Sequence, residues 1–239
     1  MGQAHWEWTR MEYVDVEHAE LIAGAGGERA AIVYAIDLPE HPFDLAAAAR
    51  GLTANVLRVP VRTWSESLTP WPAPGPHPDD TDFGGKAAVT LSELVDEVIP
   101  ALEERYRLVP ARRAICGYSL GGLFALYAFA RDARFAGCAC LSGSLWYEGW
   151  VDYLRKQPFE GAGRYVYFSL GKRESKAGTR IMRSVQDNME ACVGLCRERG
   201  CTVDVVLGPG NHMQHHTERL AAGLSALDAK AGNAGASAK

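Results

Sequence analysis

The sequence lacks most of what would place it outside the simple globular proteins. It is 239 residues long and has no run of about 18 apolar residues, so no segment reads as a membrane-spanning helix. Its first residues, Met1 to Arg10, carry no basic stretch followed by an apolar core. No secretory leader is therefore expected, and Trp6 stands where a myristoylation signal needs Ser or Thr. No internal repeat is present, which argues against a solenoid. The net charge is only −4, so nucleic acid is not an expected partner. None of the six cysteines forms a Cys-x-x-Cys pair. That argues against a zinc site and, in a chain expected to be cytoplasmic, against a disulfide framework. Cys138 and Cys140 would share one face of a strand, and Cys192 and Cys196 one face of a helix, as small buried residues do. At 47% hydrophobic content the chain has enough apolar residues for one sizeable core. A single domain is expected over residues 1–228, followed by a small, polar, disordered tail over 229–239.

What is present centres on Gly117-Tyr118-Ser119-Leu120-Gly121. The bare Gly-x-Ser-x-Gly pattern is weak. Here it follows Ala114-Ile115-Cys116, which reads as a buried strand, and precedes Gly122 to Phe129, which reads as a helix. A serine at a sharp strand-to-helix turn is the nucleophile elbow of α/β-hydrolases. The glycines let the backbone turn tightly where a Cβ would clash. The turn lifts the Ser119 hydroxyl out of the sheet and places the Leu120 N–H beside it at the positive end of a helix.

The residues that such a serine needs follow in the right order. Phe135 to Leu141, Tyr165 to Leu170 and Thr202 to Leu207 read as later strands. Glu174 comes just after the second of these and His212 just after the third. The chain thus supplies Ser, acid and His in the α/β-hydrolase order, each past the C-terminal end of a strand. A serine hydroxyl needs a base to take its proton, and a carboxylate must orient the imidazole. Asp187, inside the helix predicted over Arg180 to Arg199, is the competing acid. Leu120 N–H is one expected oxyanion donor. Leu38 N–H, after the predicted strand Arg29 to Asp37, is the other. His41, His77, His215 and His216 read as surface or rim residues.

Glu12 to Ala23 and Leu52 to Val61 read as two further strands. Ala88 to Arg107 reads as an amphipathic helix that Pro100 should break or kink. Residues 63–85 carry five prolines (Pro70, Pro72, Pro74, Pro76 and Pro78) and read as a long loop near the site. Trp64 and Trp71 within it either line a substrate groove or anchor the loop. Trp146, Tyr147 and Trp150 are read as a substrate wall at the Ser119 mouth, with Tyr118 beside the serine as a further substrate contact.

Several blocks resemble the esterase D-like family of α/β-hydrolases, and within it the enterobactin and salmochelin siderophore esterases. They are Gly117 to Tyr127, Ser142 to Tyr147, Phe168 to Glu174, Gly208 to His212 and Leu68-Thr69-Pro70, and the likeness runs from about Tyr13 to Leu227. The resemblance implies a mostly parallel central sheet with helices on both faces. It also implies Ser119 as nucleophile, His212 as base and a small-molecule ester as partner, with no metal or organic cofactor. Some members of this branch work with a Ser–His dyad, which leaves the acid as Glu174, Asp187 or none. Asp37-Leu38-Pro39 stands where the family often has Asp-Gly-Asn, and Glu66-Ser67 where it often has Arg-Asp. The expected activity is hydrolysis of a carboxylic ester through an acyl-enzyme, with siderophore lactones as the leading substrate. The alternatives on the same scaffold are acyl transfer to an alcohol and hydrolysis of acetyl or feruloyl esters of carbohydrates.

Overall fold

The computed structural model describes residues 11–38, 43–176 and 178–233. Met1–Arg10, His41 and residues 234–239 of the expected tail lie outside them. The strands are β1 (Glu20–Ile22), β2 (Ile32–Asp37), β3 (Asn55–Pro60), β4 (Pro72–Ala73), β5 (Phe83–Gly84), β6 (Arg113–Tyr118), β7 (Phe135–Leu141), β8 (Tyr165–Gly171) and β9 (Thr202–Gly208). Seven of these form one sheet in the order β1-β3-β2-β6-β7-β8-β9. Only β1 runs antiparallel to its neighbour; the other pairs are parallel. β2 and β8 are buried at every position, as apolar strands covered on both faces must be. Their side chains alternate between two core layers. Ile32, Tyr34 and Ile36 face one; Val33 and Ala35 face the other, with Leu45, Leu220 and Leu224.

The helices are α1 (Leu45–Ala48), α2 (Trp64–Ser67), α3 (Ala87–Ser92), α4 (Ile99–Arg105), α5 (Leu120–Arg131), α6 (Trp150–Lys156), α7 (Val185–Glu198) and α8 (His216–Asn233). α5 is buried from Leu120 to Ala130 and packs on β6 and β7. A helix apolar on all sides belongs in the interior, so the serine at its head is carried by a buried element.

Four sequence expectations are corrected. Of the strand expected over Glu12 to Ala23, only Glu20–Ile22 joins the sheet, with one isolated bridge from Val14 to Val61. The Glu93 carboxylate accepts the N–H groups of Glu12, Tyr13 and Val14 at 2.9, 3.0 and 3.3 Å, so a side chain takes the place of a strand ladder. Of the break or kink expected at Pro100, the break does not occur, and the helix instead changes its winding. A π-helical stretch, Glu93–Val98, joins α3 to α4. Its wider turn makes room for the proline ring, and the Val95 carbonyl accepts from Arg134 Nη1 at 2.8 Å.

Residues 63–85 are not structureless, since they contain α2 and the antiparallel β4–β5 pair. Thr69 ties the segment together, with Oγ1 donating to Ser65 O at 2.8 Å and accepting from Gly85 N at 3.0 Å. Finally, α8 runs on to Asn233, into the stretch expected to be disordered. Asp228 accepts the N–H groups of Thr53 and Ala54 at 2.9 and 2.8 Å, and the Lys230 ammonium lies 5.3 Å from the centre of the Tyr165 ring.

Candidate active site

Ser119 sits between β6 and α5 with φ 58° and ψ −123°, a conformation that costs an L-residue about 1–3 kcal/mol. The surrounding backbone enforces it. Ser119 N–H donates to Leu141 O at 3.1 Å, and Ser119 O accepts from Gly122 N, Leu123 N and Ser144 N. The two glycines of the elbow are not equivalent. A Cβ at Gly117 would lie 2.1 Å from the Gly121 carbonyl oxygen, whereas one at Gly121 would meet the Trp64 ring edge at 3.0 Å. The first is a backbone collision with no relief; the second asks only that a side chain yield.

The three residues separated in sequence come together above the sheet. His212 Nε2 lies 3.1 Å from Ser119 Oγ, and His212 Nδ1 lies 2.9 Å from Glu174 Oε2. With the serine proton directed at Nε2, Nδ1–H is the donor to the carboxylate. Glu174 Oε1 accepts from Gly171 N at 2.7 Å, Ser142 Oγ at 2.8 Å and Arg219 Nη1 at 3.1 Å. Burial alone would raise the Glu174 pKa. The hydrogen bonds from His212, Gly171 and Ser142 outweigh it, and the net shift is downward. Glu174 is therefore held ionised behind the imidazole. Asp187 is exposed on α7, and Glu174 occupies the carboxylate position.

Two cavities meet at Ser119. One, of about 200 Å³, is walled by Trp146, Met182, Val185, Asn211 and Met213. The other, of about 350 Å³, is walled by Trp64, Ser65, Pro76, Phe83 and Leu120. Trp146 and Ser144 line both. Among the described residues there is no group of three or more His, Cys, Asp or Glu side chains placed to hold a metal, and no helix long and apolar enough to cross a membrane. All six cysteines are buried and free.

A family model described as "Putative esterase" matches residues 41–194, well over half the chain. The chain belongs to this esterase family. Uncharacterized protein YbbA of Bacillus subtilis (strain 168) is 30% identical over 142 residues, which is 58% of this chain and 57% of that relative's length. The esterase fold is shared with siderophore hydrolase EstA of Aspergillus nidulans, at TM-score 0.69 and 21% identity over 88% of this chain and 93% of that one. It is shared with an IroE-like serine hydrolase of Shewanella oneidensis, at TM-score 0.71 and 17% identity over 88% and 75%. A ferulic acid esterase aligns at TM-score 0.58 and 13% identity over 89% and 91%.

Several expected site residues turn out to be engaged elsewhere. Leu38 N–H donates to Asp37 Oδ1 at 2.9 Å, and Phe43 N–H joins it at 3.2 Å. Asp37 is 1% exposed, and burial raises its pKa despite these bonds and the nearby Arg58. A buried carboxylate needs donors, so the N–H expected to hold the oxyanion is already engaged. Leu120 N–H, in the first turn of α5, has no carbonyl partner within the helix.

Tyr147 and Trp71 line neither cavity at the serine. The Tyr147 hydroxyl donates to Trp71 O, and Trp71 Nε1–H donates to Glu148 O at 3.1 Å. Through these bonds the buried Tyr147 and the half-buried Trp71 anchor the proline-rich segment. Trp64, by contrast, does line the groove. Trp150 is wholly buried in the core. The Tyr118 ring packs 5.3 Å from His212 and 4.8 Å from His216, and its hydroxyl donates to His212 O at 2.7 Å. Tyr118 therefore positions the histidine loop. His215 and His77 are exposed, as expected. His216 is half-buried, with Nε2–H donating to His212 O at 3.0 Å.

Sequence reasoning missed Arg219. Its buried guanidinium donates to Glu174, to Ser142 Oγ at 3.0 Å, to Tyr118 Oη at 2.7 Å, and to the Asn211 and Pro209 carbonyls at 3.1 and 2.8 Å. It ties the acid, the strained Ser142 (φ 42°) and the histidine loop into one unit. Nothing in the sequence distinguishes it from an ordinary helical arginine.

Proposed function

We propose that this chain is a serine esterase that cleaves carboxylic esters through an acyl-enzyme. The observation that carries this reading is the relay Glu174–His212–Ser119, with contacts of 2.9 and 3.1 Å, at the head of a buried helix. Ser119 Oγ attacks the ester carbonyl as its proton passes to His212 Nε2. Glu174 stabilises the imidazolium and fixes the tautomer. Leu120 N–H, with the partial positive charge of the α5 N-terminus, receives the oxyanion. Collapse expels the alcohol oxygen, which takes the proton from His212. Water then attacks the acyl-enzyme by the same route and frees Ser119.

Siderophore-type ester bonds are the leading substrates, supported by the likeness to the Aspergillus nidulans siderophore hydrolase. Feruloyl esters are the second reading, supported by the ferulic acid esterase of the same fold. The largely apolar wall of Met182, Val185, Met213 and Trp146 suits either an aromatic or an aliphatic acyl group. A panel of p-nitrophenyl acetate, a ferric catecholate trilactone, a hydroxamate siderophore ester and methyl ferulate tests both. Wild type is expected to turn over p-nitrophenyl acetate, and Ser119→Ala to lose on the order of 10⁴–10⁶-fold in kcat. Full turnover by Ser119→Ala would end the serine-esterase reading.

A further inference from the structure

The proposed mechanism needs a second hydrogen-bond donor at the reacting oxygens, and the N–H expected to supply it is engaged elsewhere. Ser144 meets that need. It follows β7 in the turn Ser142-Gly143-Ser144 and is 2% exposed. Its Oγ lies 3.4 Å from Ser119 Oγ, the side-chain contact that the structure gives it. Since the single proton of Ser119 is directed at His212, the Ser144 hydroxyl is the donor in that contact. The distance is long for a resting hydrogen bond, as catalytic contacts often are before substrate binds.

The position is held by the nucleophile's own backbone. Ser144 N–H donates to Ser119 O at 2.9 Å, and Tyr147 N–H closes the turn on Ser144 O at 3.0 Å. Asn188 Nδ2–H donates to Leu145 O at 2.8 Å and fixes the turn from α7. The turn tolerates no bulk, because a Cβ at Gly143 would lie 2.4 Å from Cys140 Sγ. Ser144 also lines both cavities, so its hydroxyl stands where they join at the serine.

We propose that the Ser144 hydroxyl is a catalytic group of this site and hydrogen-bonds the oxygen on which charge develops during acyl transfer. This rests on the serine-esterase reading above. The hydroxyl transfers no proton. As Ser119 Oγ bonds to the carbonyl carbon, the carbonyl π pair moves to its oxygen, and Ser144 Oγ–H and Leu120 N–H receive that charge. The hydroxyl releases it as the bond to the leaving alcohol breaks.

The test compares Ser144→Ala and the nearly isosteric Ser144→Cys with wild type on p-nitrophenyl acetate. Thermal melts of each variant report the fold. A thiol is a weak donor, so both variants are expected to lose about 10²-fold in kcat with KM within about twofold, since loss of one side-chain oxyanion donor costs about 10²–10³. Either variant keeping kcat within threefold of wild type overturns the proposal. So does an equal loss in kcat with a large rise in KM, which would mark Ser144 as a binding residue. If wild type itself shows no Ser119-dependent turnover, the esterase reading has failed and the Ser144 proposal falls with it. A wild-type-like Ser144 variant beside active wild type refutes the Ser144 role alone.

Discussion

At the scale of single residues, the site is a carboxylate with divided duties. Glu174 Oε2 serves His212, while Oε1 accepts from Gly171, Ser142 and Arg219. Arg219 is the keystone of that arrangement, and its guanidinium and the carboxylate are both buried. Removing one partner of a buried pair strands the other, at a cost of about 3–5 kcal/mol. Arg219→Met should therefore lower the unfolding free energy measured in urea by about that much and reduce kcat as well, whereas Arg219→Lys should recover part of each. An unfolding free energy unchanged in Arg219→Met would show that the network contributes nothing to stability. The convergence of Ser119, Glu174 and His212 was legible in the sequence because their order and their places after successive strands follow from the fold. The hydrogen-bond partners of Leu38, Tyr147, Trp71 and Tyr118 were not legible, because position along the chain does not show where a backbone N–H or a side chain's polar tip finds its partner. Asp37 took the Leu38 N–H, and the Trp71 carbonyl took the Tyr147 hydroxyl.

At the scale of elements, the β6–Ser119–α5 turn converts sequence into reactivity. Its two glycines give a contrast that a single-residue view would miss. Gly117→Ala forces Cβ against a backbone oxygen and should leave little folded, active protein, as read by soluble yield and ester turnover. Gly121→Ala meets only the Trp64 ring edge and should fold with a shifted groove, seen as a change in KM larger than the change in kcat. Equal behaviour of the two variants would contradict the geometry. β7, β8 and β9 were legible to within a residue, because short apolar runs between turn residues leave little choice. The early strand and the π-helical stretch before Pro100 were not. Each depends on something distant or cooperative: the Glu93 carboxylate capturing three N–H groups in one case, and a turn that widens to hold a proline in the other.

At the scale of the whole molecule, one mostly parallel sheet with helices on both faces carries the serine, acid and histidine on loops that leave β6, β8 and β9. The cysteines were legible as small buried residues, and all six are free and buried. A thiol reagent should therefore label native protein very slowly and six thiols per chain after unfolding, and reductant should leave the melting temperature unchanged. Rapid labelling of the native state would mean a looser core than described. The central claim, that Ser119 is a nucleophile driven by His212 and Glu174, is tested most directly by trapping it. Intact-mass and peptide analysis after exposure to a fluorophosphonate should find one adduct, on Ser119. It should form on the order of 10²–10⁴-fold more slowly in His212→Ala and in Glu174→Gln. An adduct on another residue, or labelling of Ser119 at the same rate in all three proteins, would contradict the account.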